Sequence, residues 1–423
     1  MSISLTPAGQ PPGRLNGAAL VAATGFANVA DGVTKTVLPI VALRATSDPG
    51  IVGLTVACLG LPWVLNAVAI GVMVDRLDRR MLLSIAQIFR VLVVFVLGAV
   101  LATRGLTIAL LLPCAFMFGV AEVLAMTAET AIVPMAVAKA SLGRVNAWVA
   151  GMEKLLGDLV GPPLGGVLLA FSAPLTLGAS GSCFLAALVL ALALRGSFKI
   201  RRTADAGQAG VVGDVKDVFR LFFRRQDLLA MTLIVGIMAG CWSAWQATLV
   251  TYAVAPGPMN MTPATYGFLL SVLGAGGVVG ASISQGLTRM IGQRWVMFGD
   301  VLGTAVMLGA PAVSSNPIIV GAGAFFGGVG GMLWVINARM LIQRTLPGEM
   351  LGRFYAVYRT ISWSFLPLGA ALGGYGARLV GVHVVFIVGA GISACLTLPF
   401  FAFLKPSMFR EVVGHQPGDR RAG

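Results

Sequence analysis

Apolar runs long enough to cross a bilayer recur along the whole chain, and the short segments between them hold most of its charge. Of the 423 residues, 57% are hydrophobic and 11% are charged, whereas a soluble domain has about 25% charged residues. A helix needs about 20 mostly apolar residues to cross hydrocarbon, and the sequence lacks the alternating pattern of membrane strands. The sequence therefore predicts an all-α integral membrane protein.

Twelve transmembrane helices are predicted, in two groups of six. Spans 1 to 6 lie near residues 17–44, 50–74, 81–102, 106–133, 144–171 and 175–195, and spans 7 to 12 near residues 227–254, 264–288, 295–313, 317–342, 353–378 and 383–404. The predicted parts are an N-terminal six-helix bundle over 1–195, a cytoplasmic linker with an amphipathic segment over 196–226, a C-terminal six-helix bundle over 227–404 and a cytoplasmic tail over 405–423.

The positions of the basic residues predict the orientation, because Lys and Arg in short loops stay on the cytoplasmic side. Most of the 30 Lys and Arg residues lie near the N-terminus, in the loops after even-numbered spans, in the linker and in the tail, whereas only Arg44, Arg104 and Arg378 fall on the opposite side. Both termini are therefore expected in the cytoplasm. The net charge of +14 arises from scattered loops, which argues against a nucleic-acid partner.

Residues that bind metals or catalyse hydrolysis are scarce. The five cysteines lie inside apolar runs without metal-ligand spacing, and the two histidines, His383 and His415, lie in a loop and in the tail. The phosphate-binding pattern G-x-x-x-x-G-K-[ST] does not occur. The sequence therefore predicts no metal site, no cofactor and no enzymatic activity.

An internal repeat relates the two halves. The segment Leu142–Ala147 recurs as Leu351–Ala356, and paired glycines follow each copy, at Gly165-Gly166 and at Gly373-Gly374. Span 5 is therefore the counterpart of span 11. Parallel repeats related by an axis along the membrane normal are typical of transporters with two rocking bundles and a substrate between them.

Two motifs carry a family resemblance. The charged turn between spans 2 and 3 reads Gly71-Val72-Met73-Val74-Asp75-Arg76-Leu77-Asp78-Arg79-Arg80 and resembles the signature loop G-x-x-x-D-R-x-x-R-R of the major facilitator superfamily. Span 5 reads Gly157-Asp158-Leu159-Val160-Gly161-Pro162-Pro163-Leu164-Gly165-Gly166 and is similar to the exporter motif G-x-x-x-G-P-x-x-G-G of that superfamily. Small residues let helices approach closely, and proline frees a backbone carbonyl and bends the helix. The residues of the exporter motif are Gly157, Gly161, Pro162, Gly165 and Gly166.

Further segments resemble one branch of the superfamily, which contains macrolide efflux proteins and enterobactin-type siderophore exporters. These segments are Asp31-Gly32, Leu38-Pro39, Leu61-Pro62-Trp63 and Gly143–Ala147. The resemblance implies two pseudo-symmetric six-helix bundles, a location in a bacterial-type inner (plasma) membrane, and a monomer by default. It also implies that spans 1, 4, 7 and 10 line the substrate cavity, whose candidate residues are Phe26, Asn28, Met126, Trp242, Trp245, Gln246, Trp334 and Asn337. Each of these side chains has packing as its alternative role.

The same resemblance implies a cytoplasmic gate. In the superfamily the aspartate of the loop between spans 2 and 3 holds the outward-facing state by contacting an arginine of span 11 and a helix N-terminus. Asp75 matches that aspartate, Arg353 or Arg359 is its candidate partner, and Asp78 replaces the usual second glycine. The alternative is that these charges only fix topology. The candidate gate residues are Gly71, Asp75, Arg76, Arg79, Arg80, Arg353 and Arg359.

Ionisable residues inside the spans are costly in hydrocarbon and are functional candidates. Asp31, Arg90, Glu122 and Asp158 fall near the middle of spans 1, 3, 4 and 5, whereas the second half has fewer such residues, chiefly Asp300 and Arg359. We expect Asp31, with Glu122 or Asp158, to bind a proton outside and release it inside. Residues four apart share a helix face, so Lys35 and Lys154 can neutralise Asp31 and Asp158. A static salt-bridge network with Arg90 and Lys154 is the alternative.

These features together predict secondary active efflux of a small amphipathic compound, a siderophore or a macrolide-like drug, by alternating access and proton antiport. The expected partners are the substrate, protons and the bilayer. An importer or lipid flippase of the same fold is one alternative, and a non-transporting membrane sensor or scaffold is another.

Overall fold

A computed structural model of the chain describes residues 14–65, 70, 73–74, 76–103, 107–196, 198–199, 220–222 and 224–409. Its helices α1 to α12 carry the numbers of the predicted spans, and α13 follows them. The helices are α1 (Arg14–Ala45), α2 (Pro49–Leu65), α3 (Arg79–Thr103), α4 (Ile108–Ala136), α5 (Lys139–Phe171), α6 (Ala173–Leu192), α7 (Gln226–Ala253), α8 (Pro263–Ile291), α9 (Gln293–Val313), α10 (Pro317–Thr345), α11 (Gly348–Val380), α12 (Val382–Phe403) and α13 (Pro406–Phe409). Most of the predicted amphipathic segment and tail lies outside the described residues.

The protein is all-helical. Within the described residues, ten helices are long and apolar enough to cross a membrane, whereas the sequence predicts twelve spans. Of the remaining two helices at predicted spans, α2 is a shorter apolar helix in its described part, and α11 contains Arg353, Arg359 and Arg378.

The packing of α1–α6 is repeated in α7–α12. In the first group, α3 packs against α4 and α6, α1 against α5 and α6, and α2 against α4. In the second group, α9 packs against α10 and α12, α7 against α11 and α12, and α8 against α10. The groups meet where α5 packs against α8 and α2 against α11. Each contact has a counterpart six helices later, as the repeat in the sequence predicts.

At one end of the molecule the two groups touch through glycine backbones. A Cβ atom on Gly53 of α2 would lie 2.6 Å from Cα of Gly374 of α11, and one on Gly166 of α5 would collide with the carbonyl oxygen of Pro263 of α8. Real side chains do not fit at these distances, so glycine is required for the close approach. We call this end, marked by Gly53, Gly374, Gly166 and Pro263, the sealed end.

At the opposite end a groove of about 1140 Å³ lies beside α1 and α5. Cβ atoms on Gly143, Gly151, Gly286 and Gly352 would meet no atom within 4 Å, and Trp148 is 55% exposed. We call this end, marked by those four glycines, the open end.

The apolar cores follow the same division. One buried cluster at the sealed end includes residues of both groups, among them Leu38 of α1 and Trp245 of α7. Toward the open end each group has a core of its own, one around Leu124 of α4 and one around Trp334 of α10. The groups therefore share a core at one end only.

Candidate functional site

Five charged side chains from three helices meet inside the first group. We call them the charge cluster, and its members are Asp31 and Lys35 of α1, Arg90 of α3, and Glu122 and Glu129 of α4. Arg90 Nη1 lies 3.3 Å from Asp31 Oδ2, and Lys35 Nζ lies 2.6 Å from Glu122 Oε1. Glu129 accepts a hydrogen bond from the Thr24 hydroxyl. The cluster therefore joins α1 to both α3 and α4.

The Asp31–Arg90 pair is buried and its hydrogen bonds are incomplete. Arg90 is 1% exposed, and its guanidinium lies over the rings of Phe118 and Phe184, 5.8 and 5.3 Å from their centroids. Asp31 Oδ1 and Arg90 Nε and Nη2 form no hydrogen bond to the protein. Buried polar atoms are nearly always satisfied in native proteins, so a pair left in this state is a candidate for a functional role.

A cavity of about 120 Å³ adjoins this pair. Its lining includes polar side chains from α1, α3, α4 and α5, namely Asn28, Asp31, Arg90, Glu129, Asn146 and Glu153. A polar cavity of this size accommodates water. Water in this cavity would lie beside Asp31 and Arg90.

Asp158 lies apart from the charge cluster. It pairs with Lys154, at 2.9 Å between Oδ2 and Nζ, as the i,i+4 spacing predicts, but both side chains are about half-exposed. The corresponding pairing of Asp31 with Lys35 does not form, because Lys35 extends to Glu122 on α4. Of the predicted coupling residues, the structure thus brings together Asp31, Arg90 and Glu122.

Three glycines of the exporter motif, Gly157, Gly161 and Gly165, face α1. A Cβ atom on Gly161 would lie 2.7 Å from Cα of Gly32, and one on Gly165 would lie 3.0 Å from Cα of Val33. The motif therefore holds α5 against the helix that contains Asp31.

The rest of the motif faces α8. A Cβ atom on Gly166 would collide with the carbonyl oxygen of Pro263. Likewise, a Cβ atom on Gly267 of α8 would collide with the carbonyl oxygen of Pro162. One stretch of α5 thus touches α1 through one face and the other six-helix group through another. This arrangement makes α5 the connection between the charge cluster and the sealed end.

The middle of α5 is a π-helix, over Glu153–Val160, directly before the motif proline. Pro162 lacks the N–H group that an α-helix needs at its position, and π-helical segments are frequent at functional sites. The Leu159 carbonyl at the end of this segment accepts a hydrogen bond of 2.8 Å from the Ser271 hydroxyl of α8. The helix type of α5 thus changes just before the motif proline, where the sequence predicts a bend.

The candidate gate is described only in part. Gly71 and Asp75 lie outside the described residues, and Arg76 is exposed. Asp78, the departure from the family pattern, accepts hydrogen bonds from the backbone N–H groups two and three residues later. Asp78 therefore caps the N-terminus of α3, which is a usual role for aspartate.

Two of the candidate gate arginines contact their own group of helices. The guanidinium of Arg79 donates to the Ala131 carbonyl and to Met135 Sδ of α4, and Arg80 donates to the Leu192 carbonyl of α6. These contacts fix the turn against the first group and do not cross to α11.

Arg359 of α11 does connect the two groups. Its guanidinium lies 4.0 Å from the ring centroid of Trp363 and 4.9 Å from that of Trp63 on α2, and the two rings are 4.5 Å apart in an edge-to-face arrangement. The other candidate partner, Arg353, is exposed. Arg359 is therefore held by aromatic faces at the contact of α2 and α11.

Some of the candidate cavity residues line open space. Phe26 lies in a largely apolar groove of about 1140 Å³ between α1 and α5, which also includes Arg144 and Trp148. Asn28 and Met126 line the smaller cavity beside Asp31. Gln246 is exposed and Trp242 is partly buried.

Three predicted cavity residues are instead buried. Trp245 and Asn337 are fully buried and Trp334 nearly so. The Asn337 amide donates to Ser284 of α8 and accepts from Thr288, so it joins α8 to α10. Because α7 and α10 are apolar around most of their circumference, residue type alone did not indicate the face on which these side chains lie.

Three carboxylates that the predicted site omits have clear positions. Glu129 belongs to the charge cluster, and Glu153 lines the same cavity. Asp48, directly before α2, forms an ion pair with Arg378 at the end of α11. Neither partner of that pair lies in a motif, and only their meeting across two helices distinguishes them. Among the described residues, no group of three His, Cys, Asp or Glu side chains has the arrangement of a metal site.

Residues 18–410 match the family model described as transmembrane secretion effector. The chain belongs to that family, within the major facilitator superfamily. The predictions of this superfamily, of a multi-pass membrane protein and of a transporter rather than an enzyme are confirmed.

Relatives of this transmembrane secretion effector include two bacterial exporters. The chain is 25% identical over 385 residues to the multidrug efflux pump Tap of Mycolicibacterium fortuitum, covering 88% of this chain and 90% of Tap. It is also 25% identical over 377 residues to the enterobactin exporter EntS of Salmonella typhi, covering 85% of this chain and 86% of EntS.

Solved structures share the fold. The nucleoside transporter NupG has a TM-score of 0.73 at 13% identity, over 93% of this chain and all of that one. An inward-facing bacterial homologue of the iron transporter ferroportin has a TM-score of 0.72 at 14% identity, over 92% of this chain and 98% of that one.

Proposed function

We propose that this chain is a secondary active exporter that moves a small amphipathic compound out of the cell across the inner membrane, by alternating access and in exchange for protons. The observation that carries the proposal is the buried Asp31–Arg90 pair, with its incomplete hydrogen bonds and its adjoining cavity. A purely structural pair has no need of such a cavity.

The proposed architecture has twelve transmembrane helices, α1 to α12, in two pseudo-symmetric bundles over 1–195 and 227–404. A cytoplasmic linker over 196–226 joins them, and both termini are cytoplasmic. In this orientation α1 and α5 run outward, so the sealed end faces the outside and the open end faces the cytoplasm. The conformation described above is then inward-open.

The proposed coupling acts through the charge of Asp31. Ionised Asp31 attracts Arg90 and holds α1 against α3, and protonation removes that attraction. An ion pair formed in only one charge state biases a two-state equilibrium. Because α1 packs against α5 and α7, a displacement of α1 reaches both bundles. Glu122, paired with Lys35, and Asp158, paired with Lys154, are the further proton-binding candidates.

The proposed substrate is a siderophore or a macrolide-like drug. The functions of the relatives, multidrug efflux and enterobactin export, support these two classes. The groove between α1 and α5 also suits an amphipathic compound, since its lining combines Phe26 and Trp148 with the charge of Arg144. Ligand pockets characteristically combine apolar walls with a few polar groups.

The test uses purified protein in vesicles that contain a pH-sensitive dye, with an imposed pH gradient and either a macrolide or a catecholate siderophore. Antiport predicts that substrate and protons move in opposite directions and that collapse of the gradient stops accumulation. Asp31→Asn is expected to lower the number of protons exchanged for each substrate molecule. Asp227→Asn is the matched control, because that carboxylate pairs with Arg225 outside the charge cluster. Movement of protons in the same direction as the substrate, or accumulation without a gradient, would reject the proposal.

A further inference from the structure

Asp300 of α9 is a buried carboxyl group outside the charge cluster. It is 4% exposed, and the ion pairs among the described residues do not include it. Its side-chain hydrogen bond is to the Thr304 hydroxyl one helical turn later, with 3.4 Å between Oγ1 and Oδ1. An ionised carboxylate without a cation is costly inside a membrane bundle. The protonated form of Asp300 is therefore favoured in this conformation.

Two glycines of α10 make the space around this carboxyl group. A Cβ atom on Gly330 would lie 2.8 Å from Cα and 3.0 Å from Oδ1 of Asp300. One on Gly331 would lie 3.1 Å from the ring of Trp242, which comes from α7. Larger residues at either position would displace the carboxyl group or the indole. The three helices therefore meet around Asp300 in a specific arrangement.

A short chain of hydrogen bonds leads from Asp300 to α7. The indole N–H of Trp242 donates to Thr304 Oγ1 at 2.9 Å. When Asp300 is ionised, the Thr304 hydroxyl donates to the carboxylate, and when Asp300 is protonated, its own O–H donates to the Thr304 oxygen. Protonation of Asp300 thus reverses the donor and acceptor of its hydrogen bond with Thr304, which is connected to α7 through Trp242. Helix α7 also packs against α1 and α2 of the other group.

Few titratable groups surround Asp300. Tyr358 of α11 lies close enough to be affected by its charge. Arg294, on α9 itself, donates to the Phe401 carbonyl and lies over the Phe401 ring. The described parts of α7, α8, α10 and α12, which pack against α9, place no ionised side chain in an ion pair with Asp300. Its protonation is therefore not fixed by a neighbouring cation.

The repeated packing gives the helix of Asp300 a counterpart in the first half. Helix α9 packs in the second group as α3, which contains Arg90, packs in the first. Arg90 connects α3 to α1, and the corresponding helices α9 and α7 are connected by the hydrogen bond between Thr304 and Trp242. In corresponding helices, one half thus has an ion pair and the other has a single carboxyl group.

We propose that Asp300 is a second proton-binding site of the transporter, located in the α7–α12 half, which binds its proton in the other access state, is still protonated on reaching this conformation and releases the proton from it. The proposal rests on the proposed proton-driven export. Its chemistry is reversible binding, in which the carboxylate takes up a proton from the outside and releases it to the cytoplasm, and no other bond is broken. Each transport cycle then moves one proton through each half.

The test measures the carboxyl group directly, by infrared spectroscopy of the protein in lipid vesicles during a pH titration. The carbonyl stretch of a protonated carboxyl group should appear in the wild type, disappear at high pH, and be missing from Asp300→Asn, which keeps the shape of the protonated residue. Thr304→Val should shift the frequency of the same band, because it removes the hydrogen-bond partner. Identical spectra of the wild type and Asp300→Asn at every pH would overturn the proposal, and so would loss of the band on addition of Na⁺ at constant pH.

Proton flux in the same vesicles tests the coupling. Asp300→Asn should lower the number of protons exchanged per substrate by one, whereas Asp227→Asn should leave it unchanged. An unchanged ratio in Asp300→Asn, with the infrared band lost, would show that Asp300 binds a proton that transport does not use, and would also overturn the proposal. If the wild type moves no substrate, export itself fails as a function, while the infrared titration still reports on Asp300.

Discussion

Asp48 and Arg378 form an ion pair across the two six-helix groups, with 3.3 Å between Oδ2 and Nη1. Asp48 caps the start of α2, since its Oδ1 accepts the backbone N–H of Gly50 at 2.8 Å, and Arg378 lies in the last turn of α11. The pair therefore closes the sealed end from its outer edge. The sequence predicts a charged gate at the opposite end, near Asp75.

We expect Arg378→Gln to shift the protein toward the state in which the sealed end is open. The pair is partly exposed, so it contributes about 0–1 kcal/mol, equivalent to at most about a fivefold change in the ratio of the two states. Distances between spin labels on Ser47 and His383 would report the shift. The charge-swapped variant, Asp48→Arg with Arg378→Asp, should restore the original distances, and unchanged distances in Arg378→Gln would show that the pair does not favour either state.

Gly166→Leu should prevent closure of the sealed end, because the new side chain would collide with the backbone of α8 at Pro263. Substrate accumulation is expected to fall at least tenfold, while the amount of folded protein stays within about twofold, since overpacking typically costs 1–3 kcal/mol. Gly151→Leu, in the same helix, is the control, because a Cβ atom there meets nothing within 4 Å. Equal loss of accumulation in both variants would contradict the prediction.

Asp31→Asn should destabilise the protein, because it leaves Arg90 buried without its counter-ion. Removal of one partner of a buried ion pair costs about 3–5 kcal/mol. The double variant Asp31→Asn with Arg90→Gln should regain most of this stability without regaining proton coupling. Thermal unfolding in detergent measures the stability, and the vesicle assay measures the proton coupling. A double variant as unstable as the single one would show that the unpaired charge of Arg90 is not the cause of the destabilisation.

Trp63→Leu should weaken the contact between α2 and α11, because it removes one of the two aromatic faces against Arg359. Cation–π contacts contribute about 0.5–2 kcal/mol, so a lower unfolding temperature is expected. Trp148→Leu is the matched control, since Trp148 is exposed at the open end. If both substitutions lower the unfolding temperature equally, the loss reflects tryptophan content and not the contact with Arg359.

The positions of the helices could be predicted from the sequence because apolar length is a local property. Span 4, for example, is predicted near 106–133, and α4 covers Ile108–Ala136. The close contacts of Gly161 and Gly166 could also be predicted from the sequence, because a glycine pattern within one helix indicates close packing. The predicted second half of span 2 falls partly outside the residues that the structure describes.

The choice of ion-pair partners could not be predicted, because it depends on how helices rotate against one another. Lys35 has Asp31 four residues before it, yet the packing of α1 on α4 brings Glu122 to its ammonium group. The buried positions of Trp334 and Asn337 have the same origin, since α10 is apolar around most of its circumference. Local spacing thus predicts which residues share a face but not what that face contacts.

The shared apolar core at the sealed end has a thermodynamic consequence. Leu38 and Trp245 lie in one continuous cluster there, and opening that end to water would uncover its surface. Exposure of apolar surface raises heat capacity. The free-energy difference between the two access states should therefore curve with temperature. Both warming and cooling from the temperature at which closure is most stable should favour the form in which the sealed end is open.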